Sequence, residues 1–169
     1  MVSNSGVIVT ELESFSIVTA DTPARISTAR ELLKEYGESI AGTACLTDFD
    51  EELAGLPGVY GPPGGALLLG YRGDEAIGCA CMRDLGDGVC EMKRLYVSPA
   101  HRTAGAGKAL VEALVQSARE HHYRSMRLDT LPSMTRAIQL YRQLGFVGIE
   151  PYGPGAAANA LFFERSLAT

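Results

Sequence analysis

The sequence predicts an α/β domain of the α+β kind, with a single mixed, largely antiparallel sheet and helices on both of its faces. Three observations carry this. Between residues 66 and 97, three strand-like runs follow one another across the turn signals Gly73-Asp74-Glu75 and Gly86-Asp87-Gly88, the pattern of antiparallel neighbours. From residue 105 onward, helix-like and strand-like segments alternate, so the sheet is mixed. No repeat, low-complexity tract or linker interrupts the 169 residues, of which 46% are apolar, enough for one real core. The predicted order is β-α-α-β-β-β-α-β-α-β-β over one domain at 15–169. Residues 1–14 form an N-terminal extension in which Val7-Ile8-Val9 is either a short strand or a frayed tail.

Phe15–Thr19 is the first secure strand. Asp21-Thr22-Pro23 starts a helix, with a capping residue just before a proline of the first turn. Ile26, Ala29, Leu32 and Leu33 carry that helix to Tyr36, and Gly37 is expected to end it. Residues 47–53 read as a short acidic helix. Residues 55–65 are too rich in glycine and proline for helix or strand, and are either a surface connector or a loop over a pocket. Strands at 66–72, 76–85 and 90–97 follow. Leu110, Val111, Leu114, Val115 and Ala118 recur at helical spacing within 105–122. A strand at 125–131, a helix at 133–144, and strands at 146–149 and 160–166 complete the chain, with a turn at Gly153-Pro154-Gly155.

The net charge of −5 argues against nucleic acid or an anionic membrane as the main partner. No apolar run approaches the roughly 20 residues of a membrane span, and MVSNSGVIVTELES has no basic region ahead of a hydrophobic core. A cytoplasmic protein is expected, and a homodimer is left open. Cys45, Cys79, Cys81 and Cys90 make no CxxC pair, and His101, His121 and His122 do not complete a zinc site. The cysteines read as small buried hydrophobes, and no metal is expected.

The chemistry concentrates at CEMKRLYVSPAHRTAGAGKAL, residues 90–110. A strand, a turn containing Gly105 and Gly107, and a helix start make an anion site. The first amides of a helix have no partner within it, and its dipole favours negative charge there. Arg102 adds a fixed cation. The plainer alternative is that the glycines only turn the chain. A P-loop is excluded because Arg102 holds the early glycine position and Ala109 follows Lys108. A dinucleotide fingerprint is excluded because Leu110 stands where a small residue should pack.

Arg102-Thr103-Ala104-Gly105-Ala106-Gly107, an RxxGxG directly after a strand, resembles the acetyl-coenzyme A loop of the GNAT N-acetyltransferase superfamily. A second block, Leu140-Tyr141-Arg142-Gln143-Leu144-Gly145-Phe146, is similar to the LYxxLGF ending of that family's closing helix. The two cover about the C-terminal half of the chain. The resemblance implies an acetyl-coenzyme A-dependent N-acetyltransferase that acts on a small-molecule amine by direct transfer in a ternary complex. It implies cofactor contacts from Arg102, Thr103, Ala104, Gly105, Ala106, Gly107 and Lys108, and from main-chain groups of Leu95, Tyr96 and Val97 at a bulge beside a splayed strand pair. Thr103 stands where many relatives have glycine, and Met134 where many have an asparagine that contacts the cofactor. That contact is then either lost or supplied by Ser133.

Amide formation needs a neutral amine, a stabilised oxyanion and a stabilised thiolate. A primary amine with a pKa near 10 is neutral only about one part in a thousand at pH 7, a deficit of roughly 4 kcal/mol. The resemblance makes Glu91 the base, six residues before Val97; the alternative is an exposed strand-end carboxylate. On a regular strand Glu91, Lys93, Leu95 and Val97 share one face, with Lys93 beside Glu91. The resemblance makes Tyr141 the acid, since a phenol is protonated at pH 7; the alternative is a packing tyrosine. Lys93 and Arg94 are expected on opposite strand faces, and whichever meets the cleft favours an acceptor with a carboxylate, such as an amino acid, over a polyamine. The alternative is that both are paired with internal carboxylates such as Glu91 or Asp129. Two rival functions are an acyl-coenzyme A sensor without turnover and a nucleotide-binding domain, the latter weakened by the glycine tests.

Overall fold

The computed structural model describes residues 2–3, 7–10, 15–41, 48–102, 105–154 and 156–168. Thr103, Ala104 and Cys45 lie outside the described residues. In chain order the elements are β1 (Val2–Ser3), β2 (Val7–Thr10), β3 (Phe15–Thr19), α1 (Pro23–Ile40), α2 (Phe49–Ala54), β4 (Ala66–Arg72), β5 (Glu75–Gly86), β6 (Val89–Val97), α3 (Ala106–Glu120), β7 (Ser125–Thr130), α4 (Thr135–Gln143), β8 (Val147–Ile149) and β9 (Leu161–Ser166). From β3 on, this is the expected order. The described strands form one sheet in the order β1-β2-β3-β4-β5-β6-β7-β9-β8. Every neighbouring pair is antiparallel except β6 and β7.

Two cores lie on the two sheet faces. One gathers the apolar stripe of α3, Ile138 and Tyr141 of α4, and Ile77, Met82 and Met92 of the sheet. The other gathers Ala29, Leu32 and Leu33 of α1, Phe49 and Leu53 of α2, and Leu69, Cys79, Cys81 and Tyr96. Cys79, Cys81 and Cys90 are buried free thiols, and burial pushes Cys79 and Cys90 up to about 12. The 55–65 segment is pinned into the α1 side by Leu56 and Tyr60, with the Tyr60 hydroxyl donating to Glu52 at 2.7 Å. Among the described residues no helix is long and apolar enough to cross a membrane, and no cluster of His, Cys, Asp or Glu is placed to hold a metal ion.

The start of α1 follows the sequence signal: the Thr22 hydroxyl accepts from the Arg25 amide at 3.2 Å, and Pro23 opens the first turn. Its end does not. The helix runs through Gly37 to Ile40, and Gly37 leaves room there for the Phe49 ring. A Cβ at Gly37 would lie 2.6 Å from Phe49 Cε1. Gly37→Ala should therefore destabilise the protein by about 1–3 kcal/mol of overpacking, less the ~1 kcal/mol that alanine gains over glycine in a helix. Chemical denaturation reads the sign, and a stabilised variant would show that the ring moves aside freely.

Two irregularities in β6 position the site. The β6–β7 ladder runs only from Val89↔Ser125 to Glu91↔Arg127, after which the strands part. On the other side, Cys79 faces Tyr96 and Cys81 faces Lys93, so β6 takes three steps where β5 takes two. Arg94, in the extra span, has φ 59°. This is a β-bulge, and it corrects the expectation that Glu91, Lys93, Leu95 and Val97 share a face. Cys90 and Met92 before the bulge, and Leu95 and Val97 after it, lie on the α3 side. Lys93 lies opposite Cys81 on the α1–α2 side. Arg94 reaches that same side, where its guanidinium lies 5.8 Å from the Tyr36 ring centroid and 5.0 Å from that of Phe49. Lys93 and Arg94 therefore do not point to opposite faces, because the added residue shifts the period-2 alternation by one.

Candidate active site

Where β6 and β7 part, two adjoining spaces open. An inner chamber of about 160 Å³ is bordered by Met92, Lys93, Arg94 and Leu95 of β6, Asp129 and Thr130 of β7, and Tyr141 of α4. An outer groove of about 690 Å³ runs from there over the start of α3. Tyr36, Leu95, Met134 and Ala137 border both, so the two spaces adjoin.

The groove gathers most of the loop residues singled out in the sequence. Gly105, at φ 85°, caps α3 in a conformation that side chains resist. The Ala109 amide makes the first α-type bond, to the Gly105 carbonyl at 3.1 Å, so the amides of 106–108 stand ahead of the ladder. The Arg102 side chain is anchored by donation from Nε to the Val97 carbonyl at 2.9 Å, with its guanidinium 5.8 Å from the Tyr96 ring centroid. Leu95, Tyr96, Val97, Arg102, Gly105, Gly107, Lys108 and Ser133 all border this groove. Ala106 does not; its side chain is buried in the α3 core. Met134 also faces the groove, and its sulfur accepts from the Thr130 hydroxyl at 3.4 Å.

Tyr141 borders the inner chamber while its ring packs edge-on against Phe146 at 5.9 Å and tilted against Phe163 at 6.5 Å. Burial pushes its pKa upward, with Tyr36 and Asp129 adding to the shift. Arg94 borders the chamber too, but its Nε donates to Glu52 Oε2 at 3.0 Å and its second amino nitrogen to Oε1 at 3.3 Å. Burial works against the Arg94 charge, and Glu52 outweighs it, so its net pKa shift is upward. Arg94 thus ties the bulge to α2 through Glu52, a residue the sequence did not single out, and neither Glu91 nor Asp129 is its partner. Lys93 Nζ lies 3.8 Å from Glu91 Oε1, beyond a hydrogen bond.

Glu91 is no exposed strand-end group. Its side chain is 4% accessible and accepts from Arg83 Nε at 2.8 Å. It is not among the residues bordering the chamber. The buried Tyr152 hydroxyl lies near it, and burial, followed by the charge and contact of Glu91, raises the Tyr152 pKa. From sequence Asp129 is only a strand residue and a possible internal partner; its chamber position depends on the parting of β6 and β7, which has no local signal.

A model described as the acetyltransferase (GNAT) family matches residues 11–146. A Schizosaccharomyces pombe protein named as an uncharacterized N-acetyltransferase is 34% identical over 158 residues, covering 91% of this chain and 96% of its own. Among solved structures, an acetyltransferase of the GNAT family from Staphylococcus aureus superposes with a TM-score of 0.76 at 17% identity, covering 91% of this chain and 99% of its own. The PaiA N-acetyltransferase of Thermoplasma acidophilum, in complex with coenzyme A, gives 0.74 at 15% identity over 90% of this chain and 99% of its own. At those identities the two structures bear on the fold alone.

Proposed function

Because the chain belongs to the acetyltransferase (GNAT) family, we propose that it transfers the acetyl group of acetyl-coenzyme A to the primary amine of a small molecule, an amino acid or derivative, with both substrates bound together. The observation that supports this best is that the α3 groove adjoins the chamber at Tyr141, with Tyr36, Leu95, Met134 and Ala137 bordering both. A chamber of about 160 Å³ is well below the roughly 300–1,000 Å³ of drug-sized pockets, which suits a small acceptor.

In this reading residues 15–169 are the catalytic domain. Arg102, Lys108 and the amides of 106–108 hold the diphosphate of the nucleotide, with Thr103, Ala104 and Ser133 as further contacts. Main-chain groups of Leu95, Tyr96 and Val97 hold the pantetheine arm, and an amide there meets the thioester oxygen as charge develops on it. Tyr141 donates to the departing sulfur. Glu91 takes the amine proton, and because its carboxylate does not border the chamber the transfer runs through water. Lys93 supplies the cation that favours an acceptor carboxylate, since Arg94 is already engaged by Glu52.

The test is thermal shift with acetyl-coenzyme A, ATP and nicotinamide dinucleotide, followed by thiol release with amino acids, short peptides, polyamines and aminoglycosides. Stabilisation by acetyl-coenzyme A alone, and turnover that falls by about 10² or more in Glu91→Gln, is the expected result. Tight binding without thiol release from any amine would make the protein a sensor, and full activity in Glu91→Gln would remove Glu91 from the chemistry.

A further inference from the structure

Asp129 is the charged chamber side chain that nothing in the described protein satisfies. It lies on β7, two residues past Arg127, the last residue paired with β6, so the parting of the strands leaves it facing the opening. It makes no hydrogen bond and no ion pair with a described residue. The charges around it are engaged: Arg94 with Glu52, Glu91 with Arg83, and Arg127 with Glu164. A half-buried carboxylate without a partner is uncommon, because its lost hydration is not replaced.

The groups nearest to Asp129 do not neutralise it. Burial raises the pKa of Tyr36, Tyr141 and Tyr152, and the Asp129 charge adds to the rise in each. All three are neutral phenols at physiological pH. Lys93, across the chamber, has Glu91 as its ion-pair partner and lies beyond ion-pair distance of Asp129. The chamber therefore presents an unmet negative charge and, on the facing strand, a cation with only a long contact.

We propose that Asp129 receives the ammonium group of the acceptor and that Lys93 receives its carboxylate, so that the chamber selects a small zwitterion with amine and carboxylate close together. This deepens the acetyltransferase reading above and rests on it. A simple amine satisfies Asp129 and leaves Lys93 unmatched. A polyamine satisfies Asp129 but brings a second cation toward Lys93. An ion pair to the ammonium stabilises its charged form, so Asp129 acts on binding, and proton removal falls to another group.

The experiment measures thiol release with the matched pairs glycine and methylamine, L-alanine and ethylamine, and L-phenylalanine and phenethylamine. Wild-type protein should prefer the amino acid of at least one pair. Asp129→Asn should raise KM for that amino acid at least about fivefold with kcat within about twofold, and leave both acetyl-coenzyme A affinity and inhibition by the N-acetylated product unchanged, since that product carries no ammonium. Lys93→Ala should abolish the preference for the amino acid over its amine. An unchanged KM in Asp129→Asn, a fall in kcat alone, or weakened acetyl-coenzyme A binding would each overturn the proposal, as would preferred turnover of polyamines or aminoglycosides. A wild-type protein that releases no thiol with any amine refutes the transferase reading itself, a different outcome from these.

Discussion

Tyr141→Phe should lower kcat by about 10²- to 10³-fold while leaving acetyl-coenzyme A affinity and thermal stability close to wild type. Phenylalanine keeps the contacts with Phe146 and Phe163, so only the hydroxyl is lost. The raised pKa decides how that hydroxyl acts. With its pKa above the ordinary 10, Tyr141 holds its proton throughout the working range, so deprotonation of this group puts no alkaline limb on the rate below pH 10. A thiol has a reference pKa near 8.5, so complete transfer from a phenol at 10 or higher costs about 2 kcal/mol or more. Hydrogen-bond donation into the growing charge on sulfur avoids that cost. Single-turnover rates of the two proteins separate this step from binding, and equal rates would leave Tyr141 as a packing residue.

Gly107→Asp should weaken acetyl-coenzyme A binding by at least about tenfold, equivalent to about 1.4 kcal/mol, without harming the fold. A Cβ at Gly107 would meet Leu140 Cδ2 at 3.6 Å and Val97 Cγ2 at 3.9 Å, ordinary contacts that need no rearrangement. Gly107 is the second residue of α3, where glycine is a poor helix former and a carboxylate suits the positive end of the dipole. The same charge repels a diphosphate. The variant should thus melt at or slightly above the wild-type temperature in the absence of ligand, yet lose affinity by calorimetry. Unchanged affinity would remove the α3 start from the binding site, whereas a lowered melting temperature would point to a packing role.

The elements were legible because their signals are local. Leu110, Val111, Leu114, Val115 and Ala118 repeat at the period of a helix, and all five are buried along α3. The Gly73-Asp74 and Asp87-Gly88 turns fix two hairpins through backbone conformations that few other residues adopt. The groove was legible for the same reason: a glycine-bearing turn between strand and helix leaves amides ahead of the ladder wherever it occurs. Tyr141 stood out only through its resemblance block, since no rule of spacing sends a helical tyrosine to a chamber.

Whatever depends on how distant segments meet was decided by the tertiary structure. The bulge at Arg94 exists because β6 and β5 differ by one residue between two paired positions, and neither strand alone carries that count. Once it forms, Lys93 and Arg94 fall on one side and Leu95 and Val97 on the other, against simple alternation. Glu52 meets Arg94 across 42 residues of chain, and Phe49 occupies the space that Gly37 leaves within α1. Asp129 has no partner among the described residues, and β6 and β7 part just before it. Periodicity along the chain determines which residues form an element and which of its faces is apolar. Register and splay are properties of two strands together, and they determine which charged groups share the chamber.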